Sequence, residues 1–197
     1  MKHLSDEELM SIVQAGDFSP ASELYDRYSG RIYNYAYRFL KNSESAEDAT
    51  QEVFAKMFKN ANQFRGGAKF STWLFAIARN QCRDYLRKPE NKVKKEGEDV
   101  LITLPAPDEL SPHRNLERQE DKKMAEEMIQ EALMVLSPDQ REALVLSRFH
   151  GLSYGEIAQV SGCSEGAIKL RVFSAMEVLK KALAGDVHGG DQCLNVV

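Results

Sequence analysis

Aromatic and basic side chains alternate along residues 64–88, an arrangement suited to holding single-stranded nucleic acid. Aromatic rings stack on unpaired bases, while arginine and lysine side chains follow the phosphate backbone. The double glycine after Arg65 is hard to explain by packing, and it allows backbone to approach a ligand closely. Phe75 and Ile77 are expected in the core instead. The candidate nucleic-acid contacts are Phe64, Arg65, Gly66, Lys69, Trp73, Arg79, Asn80 and Arg83.

Residues 152–179 have the pattern of a helix-turn-helix, with a short helix, a tight turn and a longer helix. Gly162 suits the left-handed conformation that a tight turn often needs. Apolar residues from Ile168 to Leu179 recur at helical spacing, so polar side chains of the longer helix face elsewhere. Basic side chains there reach phosphates or guanine edges, and apolar ones touch thymine methyl groups. The candidate duplex contacts are Ser164, Lys169, Leu170, Arg171, Phe173 and Ser174.

The helix-turn-helix pattern leaves one alternative open, an ordinary three-helix bundle with a solvated charged face. The face is only mildly basic, because Lys169, Arg171, Lys180 and Lys181 are offset by two glutamates. Such a face holds too little charge for tight DNA binding without help.

A third cluster of candidate residues is acidic and lies on the helix predicted to begin near residue 43. Asp48 and Glu52 are four positions apart and share a face with Gln51. Like charges at this spacing destabilise an isolated helix slightly, and a basic partner surface relieves the repulsion. The alternative is a solvated acidic face without a partner.

Composition limits the classes of protein that the chain can belong to. No apolar run approaches the length of a membrane span, and the N-terminus lacks an apolar signal core, which predicts a cytoplasmic protein. The three cysteines and four histidines are dispersed, so we expect unpaired thiols, no metal site and no cofactor. Net charge is −4, but residues 65–88 hold six basic residues against one acid, and residues 89–136 hold seven against twelve.

Helix signals are frequent and strand signals are scarce, which predicts an all-α fold. Capping boxes begin helices at Ser5 and Ser137, and Ser71, Ser153 and Ser164 are the predicted N-caps of three more. The stretch from about residue 20 to 40 carries an apolar stripe and is either continuous or broken at Ser29-Gly30. That predicted buried stripe consists of Tyr25, Tyr28, Ile32, Tyr35, Ala36 and Phe39.

Two small helical domains joined by a flexible polar linker are predicted, the C-terminal one a helix-turn-helix. The first domain covers residues 1–88 and the acidic, proline-containing linker covers residues 89–114. The second domain covers residues 115–184, with its last helix ending near Leu183, and a flexible tail covers residues 185–197.

Together these motifs, in this order, resemble the extracytoplasmic-function (ECF) group of bacterial sigma factors, in the sigma-70 family. The resemblance spans about residues 4–183 and is specific, because several separate motifs match where a lone helix-turn-helix would not suffice. The matching segments are 46–54 (AEDATQEVF), 64–66 (FRG), 70–74 (FSTWL), 77–80 (IARN), 136–138 (LSP), 151–154 (GLSY) and 156–158 (EIA).

The resemblance implies a factor that directs core RNA polymerase to promoters and has no catalysis of its own. The first domain would bind the coiled coil of the polymerase β′ subunit through the helix with Asp48, Gln51 and Glu52, and the β subunit is a further expected partner. Its glycine loop and the following helix would read and melt the −10 element, and the second domain would read the −35 element as duplex. The acidic linker would thread toward the active-site channel. Members of the group are usually controlled by an anti-sigma factor. A membrane-bound anti-sigma factor is the one expected route to a membrane contact.

Two other functions compete with this interpretation. A helix-turn-helix regulator that does not bind polymerase would leave the acidic helix and the glycine loop without a role. An enzyme is ranked far lower, because the sequence contains no Gly-rich phosphate loop, catalytic triad spacing or metal cluster.

Overall fold

The computed structural model describes residues 3–87 and 124–188, with side chains through residue 182. All regular elements in these two ranges are helices, which confirms the predicted all-α class. The linker predicted at residues 89–114 lies outside the described residues. The helices are α1 (Asp6–Gln14), α2 (Ala21–Leu40), α3 (Ser43–Lys59), a 3₁₀ turn (Ala61–Gln63), α4 (Phe70–Arg87), α5 (124–134), α6 (Pro138–Arg148), α7 (Tyr154–Ser161) and α8 (Glu165–His188).

Most of the predicted helix starts are confirmed by the hydrogen bonds that cap them. Ser5, Ser137 and Ser153 each accept from a backbone N–H three residues later, and the residue at that position bonds back. Ser164 accepts from the Ala167 amide at 3.2 Å. Gly162 ends α7 with φ at 65°, the left-handed conformation that the turn was predicted to need.

Two boundaries differ from the sequence-based expectations, the start of α4 and the end of α8, and one open alternative, in α2, is decided. Helix α4 begins at Phe70, so Ser71 lies inside the helix and is not its N-cap. The cap comes from another helix, because the Glu7 carboxylate of α1 accepts the Phe70 amide N–H at 2.8 Å. Helix α2 runs through Ser29-Gly30 without a break, and α8 continues to His188.

Helices α1, α3 and α4 pack against the apolar stripe of α2, and the four helices form the first bundle. Phe75 is fully buried as predicted, whereas Ile77 and Trp73 are only partly buried against the core. The prediction for Tyr25 is wrong: it is 46% exposed, and its ring lies 4.8 Å from that of the buried Phe54 of α3.

Helices α5 to α8 form the second bundle, which lies directly on the first through α6 against α2 and α7 against α4. The buried guanidinium of Arg141 on α6 joins the two. It donates to the Leu133 carbonyl at 2.9 Å, the Leu136 carbonyl at 3.2 Å and the Phe39 carbonyl of α2 at 3.0 Å. These bonds satisfy carbonyls near the C-terminal ends of two helices, which lack partners within their helices.

His150, in the turn after α6, also packs in the contact between the two bundles. Its ring lies 4.9 Å from that of Phe75 and 6.1 Å from that of Tyr35, and its carbonyl accepts from Arg31 at 3.1 Å. Burial, together with the charges of Arg31 and Arg38, lowers the pKa of His150 to about 4. The imidazole is therefore neutral at the bundle contact near pH 7.

The described residues contain no helix that is long and apolar enough to cross a membrane. Within the same ranges no cluster of three His, Cys, Asp or Glu side chains could hold a metal ion. Cys82 is a buried free thiol whose pKa is raised by burial to about 12, so it serves the core as an apolar side chain.

Replacing Arg141 by methionine tests the buried guanidinium. We expect the free energy of unfolding to fall by about 2–4 kcal/mol, because the Leu133, Leu136 and Phe39 carbonyls each lose a hydrogen bond. Urea unfolding followed by circular dichroism measures the change. The matched control, Arg148→Met at an exposed position of the same helix, should change it by less than about 0.5 kcal/mol. Equal urea midpoints for the two variants would contradict this role.

Acid should weaken the fold through His150. The unfolded chain takes up a proton near pKa 6.5, and the folded chain does so only near pKa 4, so this contribution is complete above pH 6.5 and is lost as pH falls toward 4. Between pH 7.5 and 5.0, His150→Phe should therefore lose about 2 kcal/mol less unfolding free energy than the wild type. Parallel losses in the two proteins, measured by urea unfolding, would show that His150 does not titrate in this way.

Candidate functional site

The three acidic-cluster residues lie together on the outer face of α3. Asp48, Gln51 and Glu52 are exposed, while the intervening Ala49 and Thr50 are buried. They form one wall of a groove of about 550 Å³. The opposite wall is the last turns of α4 with Gln81, Asp84 and Tyr85.

The groove is acidic because Asp48, Glu52 and Asp84 outnumber its one cation, Lys56. Lys56 donates to the Gln81 side chain, and the Tyr85 hydroxyl lies 2.6 Å from the Ser45 hydroxyl, so two bonds hold α3 against α4. Sequence reasoning missed Lys56 and the α4 wall. The spacing of Asp48, Glu52 and Lys56, four apart on one helix, was the available signal for the first of these.

The glycine loop exposes some of its candidate residues and buries others. Arg65 and Gly66 are exposed, and Gly66 has φ at 68°. Phe64 is 7% exposed, with its ring 5.4 Å from that of Trp73. In this conformation the two rings therefore support the loop from beneath and do not present open faces to a base. Lys69 is exposed and forms an ion pair with Glu156 of α7 at 2.8 Å.

The two candidate arginines of α4 converge on one carboxylate of the second bundle. Arg79 Nε lies 2.8 Å from Glu142 Oε1, and Arg83 Nη2 lies 2.8 Å from Glu142 Oε2. The Ser161 hydroxyl also donates to Glu142, which is 1% exposed. Asn80, the neighbouring candidate, is exposed. The basic face of α4 is thus covered by α6 in this structure.

Asp139, one turn before Glu142 on α6, connects the two sets of candidate DNA contacts. It forms an ion pair with Arg83 of α4 and with Arg171 of α8, the latter at 2.9 Å. The hydrogen bond from Arg83, with help from the charges of both arginines, lowers the pKa of Asp139. The carboxylate therefore stays ionised across the neutral pH range and holds both guanidinium groups.

The candidate residues of α8 divide between an outer face and an edge that faces α6. Lys169 is exposed, and Leu170 and Phe173 are 68% and 65% exposed. Arg171 is half-buried against Asp139, and the Ser174 hydroxyl accepts from the Gln140 side chain at 2.8 Å. Ser164 is used as the N-cap of α8. The predicted inward stripe of the helix is confirmed, with Ile168, Val172 and Ala175 buried and Leu179 partly buried.

The ion pair with Lys69 also lowers the pKa of Glu156, an acid in the short helix of the helix-turn-helix. The Lys69 ammonium, the Ser153 amide and the Ser153 hydroxyl all bond to Glu156 and lower the pKa of its carboxyl to about 2. Glu156 therefore serves two purposes: it completes the capping box of α7 and accepts a lysine of the glycine loop.

Comparison with known proteins identifies relatives of this chain. The model of Sigma-70 region 2 matches residues 24–92, which include most of α2 and all of α3 and α4, and the model of Sigma-70, region 4 matches residues 126–179. The RNA polymerase sigma-H factor of Pseudomonas aeruginosa is 34% identical over 184 residues, covering 90% of this chain and 93% of that protein. The ECF RNA polymerase sigma-E factor of Escherichia coli K12 is 30% identical over 183 residues, covering 90% and 94%.

A solved structure agrees in fold over most of both chains. The sigma factor RpoE of Bartonella quintana, solved in complex with the anti-sigma factor NepR, has a TM-score of 0.61 and is 25% identical. The alignment covers 83% of this chain and 96% of that one. With two family models in the expected order and relatives of 30% and 34% identity over most of both chains, the chain belongs to the extracytoplasmic-function group of sigma-70-family RNA polymerase sigma factors.

Proposed function

We propose that the chain binds core RNA polymerase through the acidic groove between α3 and α4 and brings two separate DNA-reading surfaces to a promoter. The first surface comprises the glycine loop and the basic face of α4 and reads the −10 element. The second is the outer face of α8 and reads the −35 element. The chain works in the cytoplasm, where core enzyme and promoters are, and contributes recognition and melting without covalent catalysis.

The observation that carries the proposal is the exposure of the acidic groove. Asp48, Gln51 and Glu52 all face outward, although α3 packs against both α2 and α4. A groove with three carboxylates and one lysine attracts a basic partner, and its volume of about 550 Å³ leaves room for side chains of that partner. The family resemblance implies that this partner is the β′ subunit, with β contacting other parts of the factor.

Strand separation at the −10 element is supported by the charge and position of the loop. Arg65 and Gly66 project into solvent at the N-terminal end of α4, beside Lys69. Arg79 and Arg83 continue the positive charge along α4 to its second half. Phosphates that follow this line would pass over the Phe64 and Trp73 rings, which reach an unpaired base only if the loop opens.

Duplex reading is supported by the outward side chains of α8. Lys169 reaches phosphates or guanine edges, and the exposed rings and methyl groups of Phe173 and Leu170 suit thymine methyl groups. These contacts are few, so the affinity of the second bundle for DNA comes largely from its tethering to polymerase near the promoter.

An anti-sigma factor is the further partner that the proposal includes. The Bartonella quintana relative was solved with such a partner, NepR. The exposed apolar side chains Leu170 and Phe173 on the DNA-reading face give a protein inhibitor an apolar area to cover. Contact with a membrane would arise only through an anti-sigma factor that is itself membrane-bound.

Asp48→Arg tests the polymerase site. Reversing a charge in the acidic groove should abolish binding to core RNA polymerase at concentrations that saturate the wild type, because like charges then oppose each other at the interface. Fluorescence anisotropy of labelled factor with purified core enzyme measures binding, and circular dichroism confirms the fold. Asp26→Arg, an exposed reversal on α2, is the control and should bind normally. Normal transcription by Asp48→Arg would contradict the assignment.

Arg171→Ala tests the −35 surface. On a duplex selected by wild-type holoenzyme from a randomised −35 library, we expect a loss of about 1–3 kcal/mol if Arg171 pairs with a base. Lys181→Ala, at an exposed position of the same helix, is the control for loss of charge. Competition binding against scrambled duplexes gives the readout. If the binding free energy falls equally on every duplex sequence, Arg171 contacts phosphates only.

A further inference from the structure

We propose that helix α1 positions the glycine loop, residues 64–69, for reading the −10 element, with Gln14 and Glu7 as positioning residues at the two ends of the loop. The inference deepens the proposed function, because it rests on the proposed DNA role of this loop. It gives a use to a helix that lies outside residues 24–92, the part of the chain that matches Sigma-70 region 2.

Gln14, the last residue of α1, holds the first end of the loop. Its amide nitrogen Nε2 donates to the Phe64 carbonyl at 2.7 Å and to the Ala61 carbonyl at 2.9 Å. Both acceptors are backbone carbonyls, so this contact needs a side chain with two N–H donors. Gln14 thereby fixes the 3₁₀ turn, and the residue that precedes Arg65, against α1.

Glu7, in the first turn of α1, holds the other end of the loop. Its carboxylate oxygen Oε1 accepts the amide N–H of Phe70, the first residue of α4, at 2.8 Å. The first N–H groups of a helix have no acceptor within the helix, so an acceptor from elsewhere stabilises the helix start. Glu7 therefore fixes the point at which the loop ends and α4 begins.

Helix α1 is a spacer of fixed length between these two contacts. Glu7 and Gln14 are seven positions apart, so they lie on one face of the helix about 10 Å apart along its axis. The Asp6 carboxylate of α1 pairs with Arg27 of α2 at 2.8 Å. The inner face of α1 is buried in the core through Leu9, Met10 and Val13. The spacer is therefore held firmly on α2.

The loop between the two contacts has little support of its own. A side chain built on Gly66 or Gly67 would meet no atom within 4 Å, and glycine loses more conformational freedom on ordering than any other residue. Anchoring both ends in the free factor removes part of that entropy cost before DNA binds. Opening of the loop over the Phe64 and Trp73 rings is then limited to the residues between the two contacts.

Trp73 reports on the loop, because it is the one tryptophan of the chain and its ring lies 5.4 Å from that of Phe64. Gln14→Met keeps the length of the side chain and removes both donors, whereas Gln14→Lys supplies donors again. Ser11→Ala is the control, since Ser11 is exposed and its hydroxyl donates to the Glu7 carbonyl within α1. In the free full chain, we expect acrylamide to quench Trp73 about 1.5-fold or more strongly in Gln14→Met, and as in the wild type in the other two.

Sequence discrimination at the −10 element supplies the second measurement. Holoenzyme, formed with factor in excess over core enzyme, is titrated into two fluorescein-labelled single strands, a −10 sequence selected by wild-type holoenzyme from a randomised library and a scrambled sequence. We expect the ratio of the two affinities to fall about three- to tenfold in Gln14→Met, because base contacts need a fixed loop more than phosphate contacts do. Gln14→Lys should restore the ratio, a rescue that a role in packing alone would not give.

Glu7 provides a second pair of variants, which decides the result if Gln14→Met does not fold by circular dichroism. Glu7→Leu removes the acceptor of the Phe70 amide N–H, and Glu7→Gln keeps an acceptor there. We expect Glu7→Leu to lose −10 discrimination and Glu7→Gln to retain it. Equal discrimination by the two folded variants would contradict a positioning role for this end of α1.

Arg65→Ala, a change in the loop itself, separates failure of this inference from failure of the proposed function. Unchanged Trp73 quenching in folded Gln14→Met would overturn the inference, and so would a Gln14→Lys variant that behaves like Gln14→Met. Wild-type discrimination by Gln14→Met, together with weaker binding of the selected strand by Arg65→Ala, would overturn the inference and leave the loop as a DNA contact. Unchanged binding of that strand by both variants would overturn the loop assignment and, with it, this inference.

Discussion

A buried carboxylate on α6 determines how the two halves of this sigma factor are arranged. Glu142 is almost entirely removed from water, and burial of an unpaired charge would cost several kcal/mol. Arg79 and Arg83 compensate it only when α4 lies directly beside α6. Arg141, the preceding residue, faces another direction and binds the Phe39 carbonyl of α2. Adjacent residues of one helix thus attach the second bundle to two helices of the first.

Helical periodicity keeps the proposed polymerase site apart from this contact. On α3, Asp48, Gln51 and Glu52 lie on the exposed face, whereas Ala49 and Val53 are buried. On α4, Gln81, Asp84 and Tyr85 line the groove, whereas Arg79 and Arg83 belong to the face that meets α6. One helix therefore lines an acidic groove on one side and carries the proposed nucleic-acid surface on another. A partner at the groove need not compete with the second bundle for space.

The sequence predicted what depends on neighbours within a few positions. Capping boxes at Ser5, Ser137 and Ser153 and the left-handed turn at Gly162 are set by local hydrogen bonds and backbone sterics. Ser71 was misassigned because its expected role is taken by Glu7, which is distant along the chain. The pairs that Arg79 and Arg83 make with Glu142 have no local periodicity, so they emerge only from the packing of whole helices. The assignments of individual DNA-contacting residues stay predictions.

The weak charge of the outer face of α8 fits a surface that acts together with a second one. Few cations stand on that face and Arg171 is held by Asp139, so duplex DNA alone offers the second bundle little binding energy. A strongly basic α8 would bind DNA without polymerase. In the proposed function core enzyme places both bundles beside the same promoter, so that the two weak DNA interactions add.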